Sequence, residues 1–552
     1  MKLNDAVKTV IAEGLTCLAS QPQTGCDRHG SHPHLAGRSN VNEQGEITFH
    51  GRTAESLLNE FGSPLYVIDT DDVRARAAKF VKSAANAFNN TVTHVSFAGK
   101  ALLSKEICRI VTESGMLIDT CTMGEMRIAL AAGVPEGGSC CTATTNPMRK
   151  SNLPLPNFAK IVVDEPNEPA RIAEIAKRLG KRARVMLRVT SGIHAGGHEF
   201  VSTAHEDQKF GVALLPVGAD ASKLNVLDDL ADADPRSRTH ARRKRSHSGR
   251  SAERQLQYDI KYPYDMSHEK VSEGDRKLAE AMTMVADGPA LAVLKEIYRH
   301  QDVLELVGVH SHIGSNIHDA DAFIQAAKRM MLLRKTFYAT DAYTLPEVDL
   351  GGGYSVAYTD GEDSMDLDTE LARLADAVTT VNRALGMPAP VISFEPGRWT
   401  VAPTGVTLYR VGTVKPVQLA GTAKDKAGNP VTERVYVSVD GGMSDNIRPA
   451  LYGSDYTARI ANREGSSETK LCRVVGMHCE SGDIIVNEVR LPADIQRGDV
   501  LAVPVTGAYG RTMASNYNQA LIPAVVAVSE QDAHVMIRRQ TVDDLLDWDV
   551  SE

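Results

Sequence analysis

The 552-residue sequence predicts an α/β architecture: a (β/α)8 barrel followed by a C-terminal all-β domain. Up to about residue 400, short apolar runs alternate with stretches of helical periodicity, which is typical of a parallel sheet. About eight such units favour a closed barrel over an open sheet. After residue 400, β-like runs follow one another, separated by Gly, Asp and Pro, and this pattern indicates an all-β domain.

Within the barrel segment, apolar runs have strand length and amphipathic runs have helix length. The predicted strands include Pro64–Asp69, Thr93–Phe97, Met116–Asp119, Lys160–Val163, Arg184–Val189, Leu306–Val309, Glu347–Leu350 and Val391–Glu395. The predicted helices include Asp72–Phe88, Ser104–Ser114, Gly124–Ala132 and Glu168–Leu179. Later β-like runs include Gly405–Val411, Glu433–Val439, Lys470–Val475 and Val500–Pro504. We expect three parts: residues 1–62 contributing to the β-domain, a barrel over 63–400, and the β-domain over 401–552.

One segment, about residues 216–275, does not follow the alternation, because it is charged, polar and poor in aromatic residues. Its Arg236–Arg254 stretch holds eight Arg or Lys residues. Such a stretch could tether a nucleic acid or a polyphosphate. A solvated, disordered insertion is the favoured interpretation, because this composition buries too little apolar surface to order itself.

Charge and cysteine usage narrow the class of protein. The net charge of −9 argues against a nucleic-acid or anionic-membrane partner for the whole molecule. The eight cysteines form no C-x-x-C pair and complete no zinc spacing with histidines, so we expect no metal and a reducing, cytoplasmic location. We also expect no signal peptide and no membrane span, since no run of 18 apolar residues occurs.

The first chemical motif is Ser96-Phe97-Ala98-Gly99-Lys100-Ala101, which places Lys100 just past a buried strand. Partial desolvation favours the neutral, nucleophilic amine of a lysine. The alternative is a surface lysine whose ammonium group reaches solvent.

Two further motifs follow later strands. In His310-Ser311-His312-Ile313-Gly314-Ser315, the ring of His312 could stack on an aromatic cofactor and Ser315 could donate to a phosphate. A core histidine is the alternative, and a metal site is disfavoured because no third ligand is near. The glycines Gly351–Gly353 would let backbone N–H groups approach an anion, although glycine runs are often plain turns.

The remaining motifs are richest in charge. In Glu395-Pro396-Gly397-Arg398, the carboxylate could hold a proton on a ring nitrogen, or the four residues could be a surface turn with an ion pair. The β-domain offers Arg448-Pro449-Ala450-Leu451-Tyr452, Cys479-Glu480-Ser481-Gly482-Asp483 and Gly507-Ala508-Tyr509. Arginine suits carboxylate recognition. The thiol and carboxylate of Cys479 and Glu480 could serve as proton donor and ammonium anchor, unless Cys479 is merely a buried small hydrophobe.

Taken in order, these motifs resemble those of the fold-type III pyridoxal-phosphate decarboxylases, and within them the diaminopimelate decarboxylase family. The resemblance runs from about Phe49 to about Val528, interrupted by the 216–275 insertion. Its most specific stretches are Leu187–Gly211, Val307–Ile317, Val439–Tyr452 and Cys479–Asp483. It implies an alanine racemase-like barrel, pyridoxal 5'-phosphate as cofactor, and decarboxylation of meso-2,6-diaminopimelate to L-lysine and CO2, the last step of lysine biosynthesis.

The resemblance also implies residue roles. Lys100 matches the Schiff-base lysine, and Cys479 matches the proton donor. The implied cofactor-binding residues are Lys100, His312, Ser315, Gly353, Glu395, Pro396, Gly397, Arg398 and Tyr509. The implied substrate-binding residues are Arg398, Arg448, Tyr452, Glu480 and Tyr509. In the family, Cys479 and Glu480 reach the site from the partner subunit, so the resemblance implies a homodimer with shared active sites.

Three local departures from the family pattern occur. The usual Gly-Asn-Asn-Lys segment is replaced by Thr144–Lys150, Gly353 is followed by Tyr354-Ser355, and Gln519–Pro523 stands where Arg-Pro-Arg-Pro is usual. None removes a predicted catalytic group.

Three other functions compete with this hypothesis. A sister decarboxylase acting on ornithine, arginine or lysine is disfavoured by Arg448, Tyr452 and Glu480. A non-catalytic cofactor-binding regulatory protein would be a lone barrel, and an amino-acid racemase would use a tyrosine base where this chain has Cys479.

Overall fold

The computed structural model describes residues 39–135, 139–142, 160–193, 209–232 and 272–551. These residues form 21 strands and 13 α-helices. The strands are β1 (Ser39–Val41), β2 (Ile47–Phe49), β3 (Arg52–Thr53), β4 (Leu65–Asp69), β5 (Thr93–Ala98), β6 (Leu117–Thr120), β7 (Ser139–Thr142), β8 (Lys160–Val163), β9 (Ala183–Thr190), β10 (Val212–Ala213), β11 (Leu304–His310), β12 (Glu347–Asp349), β13 (Val391–Phe394), β14 (Gly405–Gln418), β15 (Glu433–Val439), β16 (Arg459–Ile460), β17 (Thr469–Val475), β18 (Ile484–Pro492), β19 (Val500–Pro504), β20 (Ala524–Val528) and β21 (Ala533–Ile537).

The α-helices are α1 (Ala54–Phe61), α2 (Thr70–Ala87), α3 (Lys105–Glu113), α4 (Met123–Ala131), α5 (Glu168–Leu179), α6 (Val226–Asp232), α7 (Glu273–Ala286), α8 (Pro289–Arg299), α9 (Asp321–Asp341), α10 (Leu367–Ala384), α11 (Arg398–Val401), α12 (Arg448–Tyr452) and α13 (Val542–Leu546). Several begin at residues whose side chains satisfy free backbone N–H groups. Asp69 accepts from the N–H of Asp72 at 2.9 Å, and Thr122 forms a reciprocal capping box with Glu125.

Eight parallel strands close into a barrel. They pair in the order β9-β11-β12-β13-β5-β6-β7-β8, and β8 pairs with β9 to complete the ring. Strand β11 reads Leu-Glu-Leu-Val-Gly-Val-His and is buried at six of its seven positions, as expected for a strand covered on both faces. The predicted (β/α)8 barrel is therefore confirmed.

One barrel strand differs from the prediction. Strand β4 belongs to the β-domain sheet, where it pairs antiparallel with β14 and parallel with β20. The expectation that the barrel domain begins at residue 63 is wrong for this strand. The eighth barrel strand is instead β7, which reads Ser-Cys-Cys-Thr and pairs with β6 and β8. Its short, partly polar sequence lacks the β-branched aliphatic run on which the prediction relied.

The β-domain is built around β14, which pairs with β4, β15 and β19. Its main sheet has the order β18-β17-β15-β14-β4-β20-β21. Residues 39–62 join this domain, because Ile47 and Leu57 are buried in one apolar cluster with Val406 and Leu408. The backbone N–H of Ile47 also donates to the carbonyl of Ala461 at 2.8 Å.

The insertion predicted over residues 216–275 is ordered at both described edges. A 3-10 helix over Ala221–Asn225 leads into α6, where Leu227 is buried. The ammonium group of Lys328 donates to the carboxylate of Asp228 at 2.6 Å. The prediction of disorder is wrong for residues 216–232 and 272–275, because a short apolar face was obscured by the flanking charges. The Arg236–Arg254 stretch lies outside the described residues.

Candidate active site at the carboxyl end of the barrel

A cavity of about 1060 Å3 opens where the carboxyl ends of the barrel strands face the β-domain. Lys100, His312, Gly352 and Glu395 follow the ends of β5, β11, β12 and β13, as expected for a barrel whose chemistry is placed at that end. The cavity lining also contains the predicted residues Ser315, Gly353, Gly397, Arg398, Arg448, Tyr452 and Tyr509.

Lys100 lines this cavity within a ring of acidic groups. Burial lowers the pKa of its ammonium group, but Tyr509, Asp119 and Glu395 raise it more, and the net pKa lies above the ordinary value. These acidic neighbours favour the charged form of the lysine. The expectation that burial alone would favour the neutral amine is not met, because the nearby acidic groups were not apparent from the motif.

Glu395 is paired on one side only. Its Oε2 lies 3.1 Å from Nε2 of the buried His310, whereas its buried Oε1 has no hydrogen-bond partner among the described residues. Burial raises the pKa of this carboxyl, but the charge and hydrogen bond of His310, together with the charge of Lys100, outweigh it and lower the pKa to about 2. Glu395 therefore presents an ionised oxygen that is free to accept one further proton donor.

His312 is held as a neutral ring. Its Nδ1 accepts a hydrogen bond from the backbone N–H of Gly352 at 3.2 Å, which requires that this nitrogen carry no proton. Burial, followed by the charges of Lys100 and Arg188, lowers the pKa of the ring well below its usual value. A neutral, fixed imidazole is suited to stacking on an aromatic ring.

The glycine loop after β12 packs tightly against its neighbours. Gly353 has φ +122°, and a Cβ atom there would lie 2.6 Å from the carbonyl oxygen of Gly314. A Cβ atom on Gly352 would lie 2.3 Å from the carbonyl oxygen of Glu395. These positions require glycine, and the loop can therefore bring backbone N–H groups close to an anion. Gly397 is similarly packed, with Ala98 3.0 Å from its would-be Cβ atom.

Two buried arginines lie together in the cavity wall. Arg398 donates to the hydroxyl of Ser315 at 2.8 Å and to the hydroxyl of Tyr358. Arg448 donates to the hydroxyl of Tyr456 at 2.7 Å. Neither tyrosine was among the predicted residues. Tyr358 follows the glycine loop with no strand end to mark it, and Tyr456 follows α12 after a glycine, so only the folded arrangement identifies them.

Tyr509 joins the β-domain to the lysine loop. Its backbone N–H donates to the carbonyl of Ala101 at 2.9 Å, and its ring lies 4.8 Å from the guanidinium carbon of Arg398. Its φ of +61° is uncommon for a residue with a side chain. This contact brings a β-domain side chain beside Lys100.

Cys479 and Glu480 are exposed and do not line the cavity of their own chain. Their loop is nevertheless well anchored. The carboxylate of Asp483 accepts the backbone N–H groups of Met443 at 2.6 Å and of His478 at 2.7 Å. The loop with Cys479 is thus tied to the loop that leads to Arg448.

Below the cavity, the barrel interior holds an ionic group that the motifs did not reveal. Lys160 donates to Glu347, which also accepts from the hydroxyl of Ser393, and Lys160 lies 3.8 Å from the carboxylate of Asp349. Burial and the charge of Glu395 raise the pKa of Asp349 to about 6. Lys160, Ser393 and the pair of Glu347 and Asp349 come from three different strands, β8, β13 and β12, and sequence alone does not bring them together.

Residues 65–507 match a family model whose description reads pyridoxal-dependent decarboxylase, C-terminal sheet domain. It is 37% identical to a diaminopimelate decarboxylase of Corynebacterium efficiens, over 92% of each chain. It is also 37% identical to that of Mycobacterium tuberculosis, over 92% of this chain and 96% of the relative. The chain belongs to the diaminopimelate decarboxylase family.

Solved structures share the fold of this family member. A diaminopimelate decarboxylase from M. jannaschii in complex with L-lysine has a TM-score of 0.69 at 22% identity, covering 93% of this chain and 98% of that one. A lysine/ornithine decarboxylase from Vibrio vulnificus has a TM-score of 0.54 at 16% identity, covering 86% and 96%. Both show the architecture of a racemase-like barrel with a sheet domain.

The cofactor of the diaminopimelate decarboxylase family is pyridoxal 5'-phosphate, and the cavity fits it. The unpartnered Oε1 of Glu395 suits a protonated ring nitrogen, the neutral ring of His312 suits the face of the pyridine, and the glycine loop suits the phosphate. The amine of Lys100 lines the same cavity and would suit attachment of the aldehyde.

Three buried side chains in this region carry atoms of the kind that bind metal ions. Ligand atoms of His310, Asp349 and Glu395 lie within 4.8 Å of one another. The predicted absence of a metal remains a prediction. In the part of the chain that the structure describes, no helix is both long and apolar enough to cross a bilayer.

Proposed function

We propose that this chain decarboxylates meso-2,6-diaminopimelate and releases L-lysine and CO2. The observation that carries the proposal is the pair of buried guanidinium groups, Arg398 and Arg448, in the same cavity as Lys100. A distal carboxylate on the substrate would be paired by both groups. Ornithine or lysine, which lack that carboxylate, would leave both cations unpaired, and this costs binding energy.

Each chain residue has a distinct part in the proposed reaction. Lys100 would hold the cofactor through its side-chain amine. The cofactor, when bound, withdraws the electron pair left at the α-carbon as CO2 departs. Glu395 keeps a proton on the ring nitrogen, and His312 fixes the plane of the ring. Ser315 and the backbone of Gly353 hold the phosphate.

The remaining groups orient the substrate and return a proton. Arg398, Arg448 and Tyr452 bind the distal carboxylate, and Tyr509 lies between the phosphate and the substrate. Glu480 binds the distal ammonium group, and Cys479 donates a proton to the α-carbon. Enclosure by the barrel and the β-domain limits the water that could compete for that carbon.

We infer that the working form is a homodimer with shared active sites. Cys479 and Glu480 are exposed and stand outside the cavity of their own chain, so their proposed roles require the cavity of a second copy. A cytoplasmic location is consistent with Cys108, Cys121, Cys472 and Cys479, each of which is a free thiol.

The test is a substrate panel with CO2 detection. Purified holoenzyme is offered meso-diaminopimelate, L-ornithine, L-arginine and L-lysine, together with the Arg448→Lys variant and an exposed control, Arg299→Lys. We expect much faster release from meso-diaminopimelate than from the other three amino acids, and a KM at least about tenfold higher in Arg448→Lys, because lysine cannot make the bidentate contact. Release only from ornithine or arginine would refute the proposed substrate.

A further inference from the structure

Tyr358 lies at the centre of the two-arginine wall. It is 4% exposed, and its hydroxyl accepts a hydrogen bond from Nη1 of Arg398. Its ring centroid lies 5.7 Å from the guanidinium carbon of Arg398 and 4.8 Å from that of Arg448. One side chain therefore contacts both cations.

Carboxylates do not balance these two cations. Among the described residues, neither Arg398 nor Arg448 forms an ion pair with an aspartate or a glutamate. Their partners are instead the hydroxyl groups of Ser315, Tyr358 and Tyr456. Two buried guanidinium groups of the same charge repel each other, and this repulsion is strong where water is excluded. In the enzyme without substrate, some other group must therefore offset the repulsion between Arg398 and Arg448.

The phenol of Tyr358 can offset this repulsion between the two arginines. Burial raises the pKa of its phenol, but the charges and hydrogen bonds of Arg398 and Arg448 outweigh burial and bring the pKa below its ordinary value. The electron-rich ring face and the oxygen both attract cations. Its backbone is fixed as well, because the N–H of Tyr358 donates to Glu362 at 2.8 Å, and its ring packs edge-on against Tyr456 at 5.2 Å.

We propose that Tyr358 is a specificity-determining residue, which positions Arg398 and Arg448 so that a single substrate carboxylate can be bound by both. This inference rests on the proposed function and assigns to it a residue that acts through the two arginines. Without the phenol oxygen, Arg398 loses one of its two side-chain acceptors and the cations separate. The loss should fall on substrates that carry a distal carboxylate and spare those that do not.

The experiment compares wild type with Tyr358→Phe, which keeps the ring, and with Tyr358→Met, which removes it. Tyr343→Phe is the matched control, because its hydroxyl donates to the carbonyl of Leu306 at 2.7 Å, away from the cavity. Rates are measured with meso-diaminopimelate and with L-ornithine. Binding of meso-diaminopimelate is followed separately through the cofactor absorbance, and melting temperatures are recorded for every variant.

We expect Tyr358→Phe to raise KM and the dissociation constant for meso-diaminopimelate about tenfold, as for the loss of a hydrogen bond to a charged group. Its kcat should change less than threefold. The ratio of kcat/KM for meso-diaminopimelate to kcat/KM for ornithine should fall by the same factor by which KM rises. Tyr343→Phe should leave the preference unchanged. If either folded Tyr358 variant binds meso-diaminopimelate as tightly as wild type, or more tightly, the proposal is overturned.

A failure of the proposed function gives a different result. In that case the wild type itself releases no CO2 from meso-diaminopimelate. The absorbance titration still measures whether the variants bind this dicarboxylic amino acid more weakly, so it decides the role of Tyr358 without turnover. A purely structural role would lower the melting temperature of the variants and leave their dissociation constants equal to that of wild type, which also overturns the proposal.

Discussion

Nε2 of His310 lies 3.1 Å from Oε2 of Glu395 inside the barrel, and the second oxygen of Glu395 has no partner among the described residues. The histidine thus holds the carboxylate in place while leaving one lone pair for the cofactor ring. Because the pKa of Glu395 is lowered to about 2, this oxygen is ionised throughout the neutral pH range.

We predict that Glu395→Gln lowers kcat at least about 100-fold, because an amide cannot hold a proton on the ring nitrogen. His310→Gln retains a donor toward Glu395 and should lower kcat about tenfold or less. Steady-state kinetics at pH 7.5 measures both. A Glu395→Gln enzyme with kcat within threefold of wild type would contradict the role assigned to this carboxylate.

Lys100→Ala should remove covalent attachment of the cofactor and abolish CO2 release, since the remaining groups of the cavity offer no equivalent amine. The measurement is the visible absorbance of dialysed protein, with Lys105→Ala, an exposed lysine at the start of α3, as the control. Retention of the visible band and of full turnover in Lys100→Ala would refute the assignment.

The buried pair of Lys160 and Glu347 should contribute to stability in a pH-dependent manner. Burial raises the pKa of Glu347, but hydrogen bonds from His94 and Lys160, with the charge of Lys160, lower it to about 2. A lowered carboxyl pKa stabilises the fold above the ordinary value of about 4.5, and that contribution is lost as the pH falls from 4.5 to 2.

We therefore predict that Glu347→Gln lowers the free energy of unfolding by about 3 kcal/mol at pH 7, because it leaves the charge of Lys160 poorly compensated. The difference from wild type should shrink as the pH falls below 4.5. Urea denaturation at several pH values measures it. Glu113→Gln, in an exposed ion pair with Arg74, should change stability by less than about 1 kcal/mol, and an equal effect of the two variants would argue against the buried pair.

Gly353→Ala should weaken cofactor binding, because the new Cβ atom would lie 2.6 Å from the carbonyl of Gly314 at a φ of +122°. We expect the dissociation constant of pyridoxal 5'-phosphate to rise at least about tenfold. Gly361→Ala is the control, since nothing lies within 4 Å of its would-be Cβ atom. Equal cofactor affinity of the two variants would show that the tight packing of the loop is unimportant.

Shared active sites can be tested by complementation. Lys100→Ala and Cys479→Ala are each expected to be inactive alone. Refolded as a mixture, they should recover about a quarter of wild-type activity, because half of the random dimers then carry one intact site of two. No recovery, despite dimers in light scattering, would place Cys479 in the cavity of its own chain.

The barrel and the conspicuous site motifs could be predicted because they combine local patterns with strand ends. Lys100, His312 and Glu395 each follow a buried strand, and parallel strands bring such positions to one rim. Strand β7 was missed because Ser-Cys-Cys-Thr has no aliphatic run, and β4 was assigned to the barrel because its apolar run resembles a barrel strand. Pairing partners depend on the whole topology.

The buried polar groups inside the barrel could not be predicted from the sequence, for a similar reason. Lys160 on β8 meets Glu347 and Asp349 on β12 only because the closed barrel brings these two non-adjacent strands face to face across its interior. In the sequence, Tyr358 is simply a tyrosine in a loop. Only the fold brings the guanidinium groups of Arg398 and Arg448 against its ring. Sequence motifs identify the groups that lie near the strand ends. The groups that set the charge and position of those residues come from positions that are distant in the sequence.

The position of β4 has a consequence for how the molecule is made. This strand leaves the ribosome before any barrel strand, yet its partners β14 and β20 are both synthesised after the barrel is complete. The barrel can assemble during synthesis, but the β-domain sheet must wait for the last part of the chain. A prematurely ended chain that stops before Tyr509 would lack both the complete β-domain sheet and one wall of the cavity. A round of translation that ends before Tyr509 would therefore give the cell an inactive product, and not a weaker enzyme.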